Sequence, residues 1–312
     1  MALFSSLKKN GFRKTLNDKI SSGNILYDFI SVVLNGTSKT SLELIRLGEI
    51  NRVSRKIGKK YKKIIETPLA DQSWTGNISD LPVWTMWLQG ENNAPEMVAT
   101  TLRSIKNNYS NVIVIDQNNF RDFITIPQYI VAKWKQGKIS DAHFSDIIRT
   151  NLLVEYGGTW IDSTTYISKQ SSWLNKKIEN EPLFFFQNMR PGSMGNSIFL
   201  SSWFITARPN EPSLLRLREL LNDYWKRNNH LKDYFLFHIF WHLIFNAHPQ
   251  VFRKIPKVPN SLPLQLMYEL NNQLSENEIN EILTNFPIQK LTYKNLSSDL
   301  NSTYFKIVNR SL

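Results

Sequence analysis

The chain has 312 residues, of which 41% are hydrophobic and 12% aromatic, and its net charge is +12 at pH 7. These values are typical of a globular protein with a large core and exclude an intrinsically disordered chain. The absence of cysteine excludes disulfides and thiolate zinc sites. The opening MALFSSLKKNGFRK has no apolar stretch that would serve as a secretory signal, and we expect a cytoplasmic protein.

Most of the positive charge lies in the N-terminal part of the chain. Residues 1–66 contain 14 Lys and Arg and 5 Asp and Glu, so they carry +9 of the net +12. Within residues 41–65, apolar side chains recur at helical spacing and cationic side chains fill the other faces, which predicts an amphipathic helix. Such a helix either packs on the main domain or lies on an anionic membrane surface. No zinc-finger or RNA-binding signature accompanies the charges, and we expect no nucleic-acid partner.

A polar segment at residues 67–82, rich in turn-forming residues, predicts a boundary in the chain. We therefore predict a basic helical N-terminal extension over residues 1–78 and an α/β domain over residues 79–312. In this second part, strands and helices alternate, which predicts a mostly parallel central sheet covered by helices. The predicted strands are residues 83–88, 111–116, 159–162, 183–187 and 198–207, and the predicted helices are residues 94–108, 140–156 and the apolar run 234–245.

In sheets of this kind, ligands collect at the carboxyl ends of the strands. Trp87, Asp116 and Asp162 each lie near such an end. In the helix before Asp162, Asp146 and Arg149 are three residues apart and therefore lie on one face. This spacing is equally that of a surface ion pair, and Asp162 taken alone is equally an ordinary turn residue.

The complete stretch SDIIRTNLLVEYGGTWID resembles the sugar-nucleotide signature S-D-x-x-R-x-x-x-L-x-x-x-G-G-x-x-x-D. This signature belongs to DXD-containing glycosyltransferases, which include Golgi-type mannosyltransferases and glucosylating bacterial toxins. WTMWLQG lies upstream of it, and DYFLFH and KLTYK lie downstream. With these motifs, residues 79–295 resemble the bacterial capsular polysaccharide synthesis glycosyltransferases.

The resemblance implies a GT-A-like fold that binds a nucleotide sugar, with Trp87 stacked on the base. Asp146 and Arg149 would contact sugar and ribose hydroxyls, because carboxylates accept hydrogen bonds from hydroxyls and Arg donates in a planar fork. Asp162 would lie beside the diphosphate, and Asp162 and Arg149 would be the catalytic residues. The full predicted donor-binding set is Trp87, Asp116, Asp146, Arg149, Gly157, Gly158 and Asp162.

A divalent cation, Mn²⁺ or Mg²⁺, is also implied by the resemblance, with Asp162 as its ligand. The broader signature ends D-x-D, whereas this chain has Asp162-Ser163-Thr164, in which Thr164 offers a neutral hydroxyl in place of a carboxylate. Hard cations prefer anionic oxygen ligands. We therefore expect a weakly bound ion that is held mainly through the diphosphate.

Cationic side chains near the departing diphosphate would stabilise the negative charge that builds on it during transfer. Lys290 and Lys294 are the candidates, although solvated charges at a strand end would have the same pattern. For the acceptor side we predict Asp233 and His238, for which helix capping and a core position are the alternatives. His242 lies one turn from His238 but lacks the glutamate of a zinc-binding motif.

The expected function is the transfer of a hexose, from UDP-galactose or UDP-glucose, to a lipid-linked oligosaccharide during surface polysaccharide assembly. The resemblance also implies retention of the anomeric configuration, and we expect a peripheral location at the inner face of the membrane. A non-catalytic sugar-nucleotide or membrane-binding protein on the same fold is the alternative. Residues 187–198, rich in Gly, Met and Ser, are expected to form a mobile loop that shapes donor specificity.

Overall fold

The computed structural model of the chain describes residues 25–70, 74–189 and 199–310. Most of the loop predicted at residues 187–198 therefore lies outside the described residues, as do the first 24 residues of the predicted extension. None of the described helices is long and apolar enough to cross a bilayer.

The N-terminal region is helical, as predicted. It contains α1 (Ile25–Asn35), α2 (Lys39–Lys60) and α3 (Lys62–Glu66). Ser38 caps α2 by accepting a hydrogen bond from the backbone N–H of Ser41, which satisfies a donor that the helix leaves open. The cationic face of α2 and α3 stays exposed to solvent.

The apolar stripe of α2 packs on the main body of the protein. Ile50, Val53 and Ile57 are at most 2% exposed and belong to the same core as α10 (Leu236–Ala247). The sequence periodicity allows this helix either to pack on the main domain or to lie on a membrane surface. The structure shows that its apolar stripe packs on the main domain. The division of the chain at residue 78 stays a prediction.

The central sheet has five strands in the order β2-β1-β3-β6-β5. β1 pairs in parallel with β2 and β3, whereas β6 is antiparallel to both β3 and β5. Four strands therefore run in one direction and only β6 is reversed, so the predicted mostly parallel sheet is confirmed. The strands are β1 (Val83–Met86), β2 (Val112–Ile115), β3 (Gly158–Ile161), β5 (Leu183–Gln187) and β6 (Leu200–Ala207).

Helices cover both faces of this sheet. Along β3, Trp160 faces the core shared with α2 and α10, and its neighbour Ile161 faces a second core, because successive strand residues point to opposite faces. The apolar run predicted as a buried helix is α10, which is confirmed. The remaining helices are α4 (Glu96–Asn108), α5 (Phe120–Phe123), α6 (Gln128–Lys135), α7 (Asp141–Tyr156), α8 (Ser172–Ile178), α9 (Pro212–Arg227), α11 (Pro249–Arg253), α12 (Gln265–Glu269), α13 (Glu276–Asn285) and α14 (Thr303–Val308).

A second, two-stranded sheet joins distant parts of the chain. β4 (Thr165–Ile167) pairs antiparallel with β7 (Ile288–Lys290), and Thr165 is the partner of Lys290. β4 follows almost directly after β3. This pairing therefore brings Lys290 next to the carboxyl end of the central sheet.

Candidate functional site

Asp162 is the first residue after β3, at the carboxyl end of that strand. Its Oδ1 accepts a hydrogen bond from the indole N–H of Trp160 at 2.9 Å and lies 3.3 Å from Nη2 of Arg149. Its Oδ2 lies 3.5 Å from Nζ of Lys290. Both carboxylate oxygens therefore face N–H donors, and the side chain still keeps 30% of its surface exposed.

Arg149 bridges the two carboxylates of the site. Its residue is 5% exposed, and its Nη2 lies 3.5 Å from Oδ1 of Asp146 and 3.3 Å from Oδ1 of Asp162. Its Nη1 donates to the carbonyl of Ser202, and its guanidinium carbon lies 4.7 Å from the centre of the Trp160 ring. The alternative of an ordinary surface ion pair is therefore wrong, because the arginine is buried and held on several sides.

The buried histidine His143, one turn before Asp146 on α7, was not singled out from the sequence. Its Nε2 accepts a hydrogen bond from the indole N–H of Trp225 at 3.0 Å. An indole nitrogen only donates, so the proton of a neutral His143 lies on Nδ1. That nitrogen is 3.4 Å from Oδ2 of Asp146. Residues three apart in a helix are neighbours, so the spacing of His143 and Asp146 indicates this pair from the sequence.

Asp146 is held in its charged form. Burial alone would raise the pKa of its carboxyl, but the close Nδ1 of His143 and the positive charge of Arg149 outweigh burial and leave the pKa below its ordinary value. Asp146 is therefore a carboxylate acceptor at neutral pH.

Lys290 joins the site and Lys294 lies at its edge. Lys290 donates a hydrogen bond to Oγ1 of Thr164, in addition to its approach to Asp162. Burial lowers the pKa of Lys290, although the charge of Asp162 opposes this. Lys294 is exposed, with its Nζ 5.2 Å from the centre of the Tyr293 ring.

Trp87 follows β1 at the same edge of the sheet. Its ring meets the ring of Tyr293 edge to face, with the centroids 5.3 Å apart. Its indole N–H is buried and has no hydrogen-bond partner among the described residues. Asp116, at the end of β2, accepts hydrogen bonds from the backbone N–H groups of Asn118 and Asn119, so its observed contacts lie within its own turn. A donor-binding role for Asp116 stays a prediction.

His238 lies on α10, close enough to Asp146 and Asp162 to be affected by their charges, and its acceptor-side role stays a prediction. Its Nδ1 is buried and has no hydrogen-bond partner within the described ranges. Burial lowers the pKa of His238 to about 4, even though Asp146 acts in the opposite direction. The side chain is therefore neutral at physiological pH. His242 instead pairs with Asn246 at 3.0 Å, which fits the predicted core position.

Asp233 lies in the connection that leads into α10. Its two oxygens accept from Arg46 of α2 at 3.0 and 3.1 Å, and one also accepts from the backbone N–H of Phe235 at 2.8 Å. Burial raises its pKa despite the charge of Arg46. α10 has no side-chain cap hydrogen bond at its start, so the capping alternative is not observed. The contacts of Asp233 tie α2 to the chain that leads into α10, and an acceptor-side role stays a prediction.

Gly157 and Gly158 lie at the amino end of β3, opposite to the end that carries Asp162. Both have positive φ angles, +65° and +95°, which favour glycine. A Cβ on Gly157 would lie 2.6 Å from the backbone nitrogen of Pro209, and one on Gly158 would overlap the carbonyl of Pro82. Close chain packing therefore explains both glycines, and a donor-binding role for them stays a prediction.

The described residues do not form a cage for a metal ion. Within residues 25–70, 74–189 and 199–310, no group of three or more His, Asp or Glu side chains is placed to hold one. Both oxygens of Asp162 face N–H donors, and the Thr164 hydroxyl accepts from Lys290. A divalent cation needs several oxygen ligands and would compete with the lysine for Asp162. These residues alone therefore do not offer enough free oxygen ligands to hold a divalent cation.

The fold and site define a class: an α/β protein with a buried arginine–carboxylate cluster and a lysine at the carboxyl ends of its strands. The chain belongs to the family described as Capsular polysaccharide synthesis protein, whose model matches residues 37–308. The family predicted from the sequence motifs is therefore confirmed. The matched range also includes α2 and α3, which pack on the common core.

Three similar proteins are glycosyltransferases by name. "O-glycosyltransferase braB" of Annulohypoxylon truncatum is 26% identical over 167 residues, which are 47% of this chain and 38% of that protein. The solved structure of the "PaToxG Glycosyltransferase" is 15% identical with a TM-score of 0.38, over 77% of this chain and 95% of that one. The apo form of the glycosyltransferase GlyE of Streptococcus pneumoniae TIGR4 is 9% identical with a TM-score of 0.39, over 74% of this chain and 60% of that one.

Proposed function

We propose that this protein is a glycosyltransferase that moves a hexose from a nucleoside diphosphate sugar to an acceptor in capsular or other surface polysaccharide synthesis. The observation that carries the proposal is the cluster of Asp146, Arg149, Asp162 and Lys290 at the carboxyl ends of the strands. Membership of the capsular polysaccharide synthesis family supports it. The proposed donor is UDP-galactose or UDP-glucose.

The site offers hydrogen-bonding groups that a polar ligand would satisfy. The N–H of Trp87, Nε of Arg149 and Nδ1 of His238 are buried without a partner among the described residues. Unpaired buried polar atoms are rare, and each destabilises a fold by about 1–3 kcal/mol. Three of them on the residues of one site therefore support a ligand rich in hydroxyl and carbonyl groups, such as a sugar nucleotide.

Each charged residue has a distinct proposed role in donor binding. Asp146, ionised and oriented by His143, accepts hydrogen bonds from hydroxyls of the sugar or ribose. Arg149 is fixed by both carboxylates and by Ser202, so its remaining N–H meets the donor without first having to be ordered. Trp87 provides an aromatic surface for the base.

Lys290 is proposed to stabilise the departing diphosphate. Glycosyl transfer separates charge, so that negative charge builds on the leaving group while the sugar becomes oxocarbenium-like. A partly buried ammonium stabilises that charge more strongly in the transition state than in the bound donor, which lowers the barrier. Oδ2 of Asp162 lies 3.5 Å from Nζ of Lys290, and this contact positions the ammonium group. We further propose retention of the anomeric configuration.

The proposed acceptor is a lipid-linked oligosaccharide at the inner face of the membrane. Support comes from the exposed cations on α2 and α3 within residues 41–65, among them Arg55, Lys59 and Lys63. Each basic residue near an anionic bilayer contributes about 1 kcal/mol of attraction.

The test is a screen of nucleotide sugars against the full-length protein, with and without Mn²⁺. Thermal stabilisation reports donor binding, and release of nucleoside diphosphate reports turnover. We expect a UDP-hexose to give both, and Asp162→Asn to lose turnover. Stabilisation without any turnover, in the presence of an acceptor extract, would instead favour a non-catalytic sugar-nucleotide-binding protein.

A further inference from the structure

Helix α1 exposes its large apolar side chains. Phe29 is 67% exposed, Val33 68% and Leu34 77%, whereas the small polar Ser31 is only 8% exposed. In a helix of a globular protein the apolar stripe normally faces the core, so this arrangement is inverted. We call the exposed set the α1 apolar surface; it consists of Phe29, Ile30, Val33 and Leu34, together with Leu44 of α2.

The α1 apolar surface is a continuous feature of one helix face. At 100° per residue, its four α1 residues fall within an arc of about 140°. α1 lies against α2, with the guanidinium carbon of Arg52 4.9 Å from the centre of the Tyr27 ring. Contiguous exposed apolar patches on a protein surface indicate a site of interaction with a partner or a membrane.

Positive charge on the neighbouring helix and in the adjoining sequence indicates the kind of partner. α2 exposes Arg55, Lys59 and Lys60 to solvent. The chain before α1, residues 1–24, contributes five Lys and Arg against one Asp, a net of +4. An exposed apolar helix face accompanied by clustered cations is the composition of helices that lie in the interface of an anionic bilayer.

The α1 apolar surface is also connected, through the start of α2, to the loop beside the candidate site. Leu44 is two residues before Arg46, whose guanidinium binds both oxygens of Asp233. The next residue, Tyr234, keeps 62% of its surface exposed, and partial burial together with the nearby charges of Asp146 and Asp162 raises the pKa of its phenol. The start of α2 thus connects the apolar surface to the loop beside the carboxylates.

We propose that the α1 apolar surface inserts into the interfacial region of an anionic membrane and so presents the site to an acceptor whose lipid part stays in the bilayer. This inference rests on the proposed function for the identity of the acceptor. The insertion itself is a property of α1 and is measured without any turnover.

The experiment compares full-length Phe29→Ser/Leu34→Ser with Leu300→Ser, a control that removes an apolar side chain of similar exposure (75%) far from α1 in sequence. Vesicles of phosphatidylglycerol and phosphatidylcholine, or of phosphatidylcholine alone, are sedimented with each protein. We expect the parent and the control to bind the anionic vesicles, and the double variant to bind them at least about tenfold more weakly. A second variant, Val33→Asn, changes another residue of the α1 apolar surface. If it also binds the anionic vesicles more weakly, misfolding at one position does not explain the loss.

The outcomes separate this inference from the proposed function. Nucleotide-sugar hydrolysis by the double variant is expected to equal that of the parent, since α1 is outside the site. Equal vesicle binding by parent and double variant would overturn the inference even if hydrolysis is intact. A parent that sediments as a dimer in the absence of vesicles, and a double variant that is monomeric, would also overturn it, because a second copy would then cover the surface. If the parent protein hydrolyses no nucleotide sugar, that result contradicts only the proposed function.

Discussion

Lys290 places its Nζ 3.5 Å from Oδ2 of Asp162, although Lys290 lies in the two-stranded sheet and Asp162 follows a strand of the central sheet. The pairing of β4 with β7 sets this contact, because Thr165, three residues after Asp162, is the register partner of Lys290. The same ammonium donates to Thr164, the residue that stands where the broader signature has its second aspartate. A positive charge thus lies beside the position at which the signature has a second negative one.

Lys290→Ala is expected to lower kcat by about 100-fold, because removal of one preorganised charge from a leaving group raises the barrier by about 2–4 kcal/mol. The donor KM should change much less, since the charge acts mainly in the transition state. Lys290→Arg should restore part of the rate. Lys294→Ala, at an exposed position, is the matched control and should stay near the parent rate. Steady-state kinetics that show the reverse ranking would refute the role of Lys290.

Asp162→Asn should abolish transfer and leave the melting temperature within a few degrees of the parent, because the amide keeps the volume of the carboxylate.

Arg149→Ala should abolish transfer and also lower the free energy of unfolding by about 3 kcal/mol, since it leaves two carboxylates without their shared cation in a buried site. Nucleotide release and thermal denaturation measure the two effects. Near-parent turnover in either variant contradicts the assignment of the site.

Removal of divalent ions is expected to reduce activity, with weak apparent affinity for Mn²⁺, because the protein contributes few ligands and the ion would be held mainly through the diphosphate. Thr164→Asp should tighten the apparent affinity for Mn²⁺ by adding a carboxylate. Thr164→Val should leave that affinity close to the parent value. The measurement is a titration of activity with Mn²⁺ after chelation. Full activity in excess chelator would assign the leaving-group charge to Lys290 alone.

His143→Gln should weaken donor binding, because Gln keeps an acceptor for Trp225 but loses the donor that faces Asp146. His143→Asn places an amide N–H near the position of Nδ1 and should bind the donor more tightly than His143→Gln does. Thermal stabilisation by the nucleotide sugar measures the affinity of both variants. If both lose stability equally and bind the donor equally, His143 is a packing residue only.

His238 should make the fold less stable as pH falls from about 6.5 to about 4. Its folded pKa, about 4, is below the ordinary value of 6.5, so the unfolded chain binds the extra proton within this window. The free energy of unfolding should therefore decrease on acidification by up to about 3 kcal/mol, and the decrease should level off below the folded pKa.

Denaturant titrations at pH 7 and pH 4.5 measure this effect. His238→Gln should flatten the pH dependence relative to the parent. His230→Gln replaces an exposed histidine and should leave the dependence unchanged. Parallel pH profiles for the parent and His238→Gln would show that His238 is not kept neutral by the fold.

The sequence by itself determined the parts of the protein that are local. Ser140 caps α7, and Gly157 ends that helix with a positive φ, as expected from the residue types at those positions. The period of the helix places Asp146 and Arg149 on one face, and the strand that follows places Asp162 at its carboxyl end. These relationships span a few residues each, so backbone geometry alone is enough to predict them.

Only the tertiary structure decided what these residues contact. The amphipathic stripe of α2 is the same whether a protein core or a membrane covers it, and packing against α10 selected the core. The contacts from Lys290 to Asp162 and from Trp225 to His143 join residues far apart in the chain. Such pairs depend on strand register and helix packing across the whole domain, and no local period of the sequence contains that information.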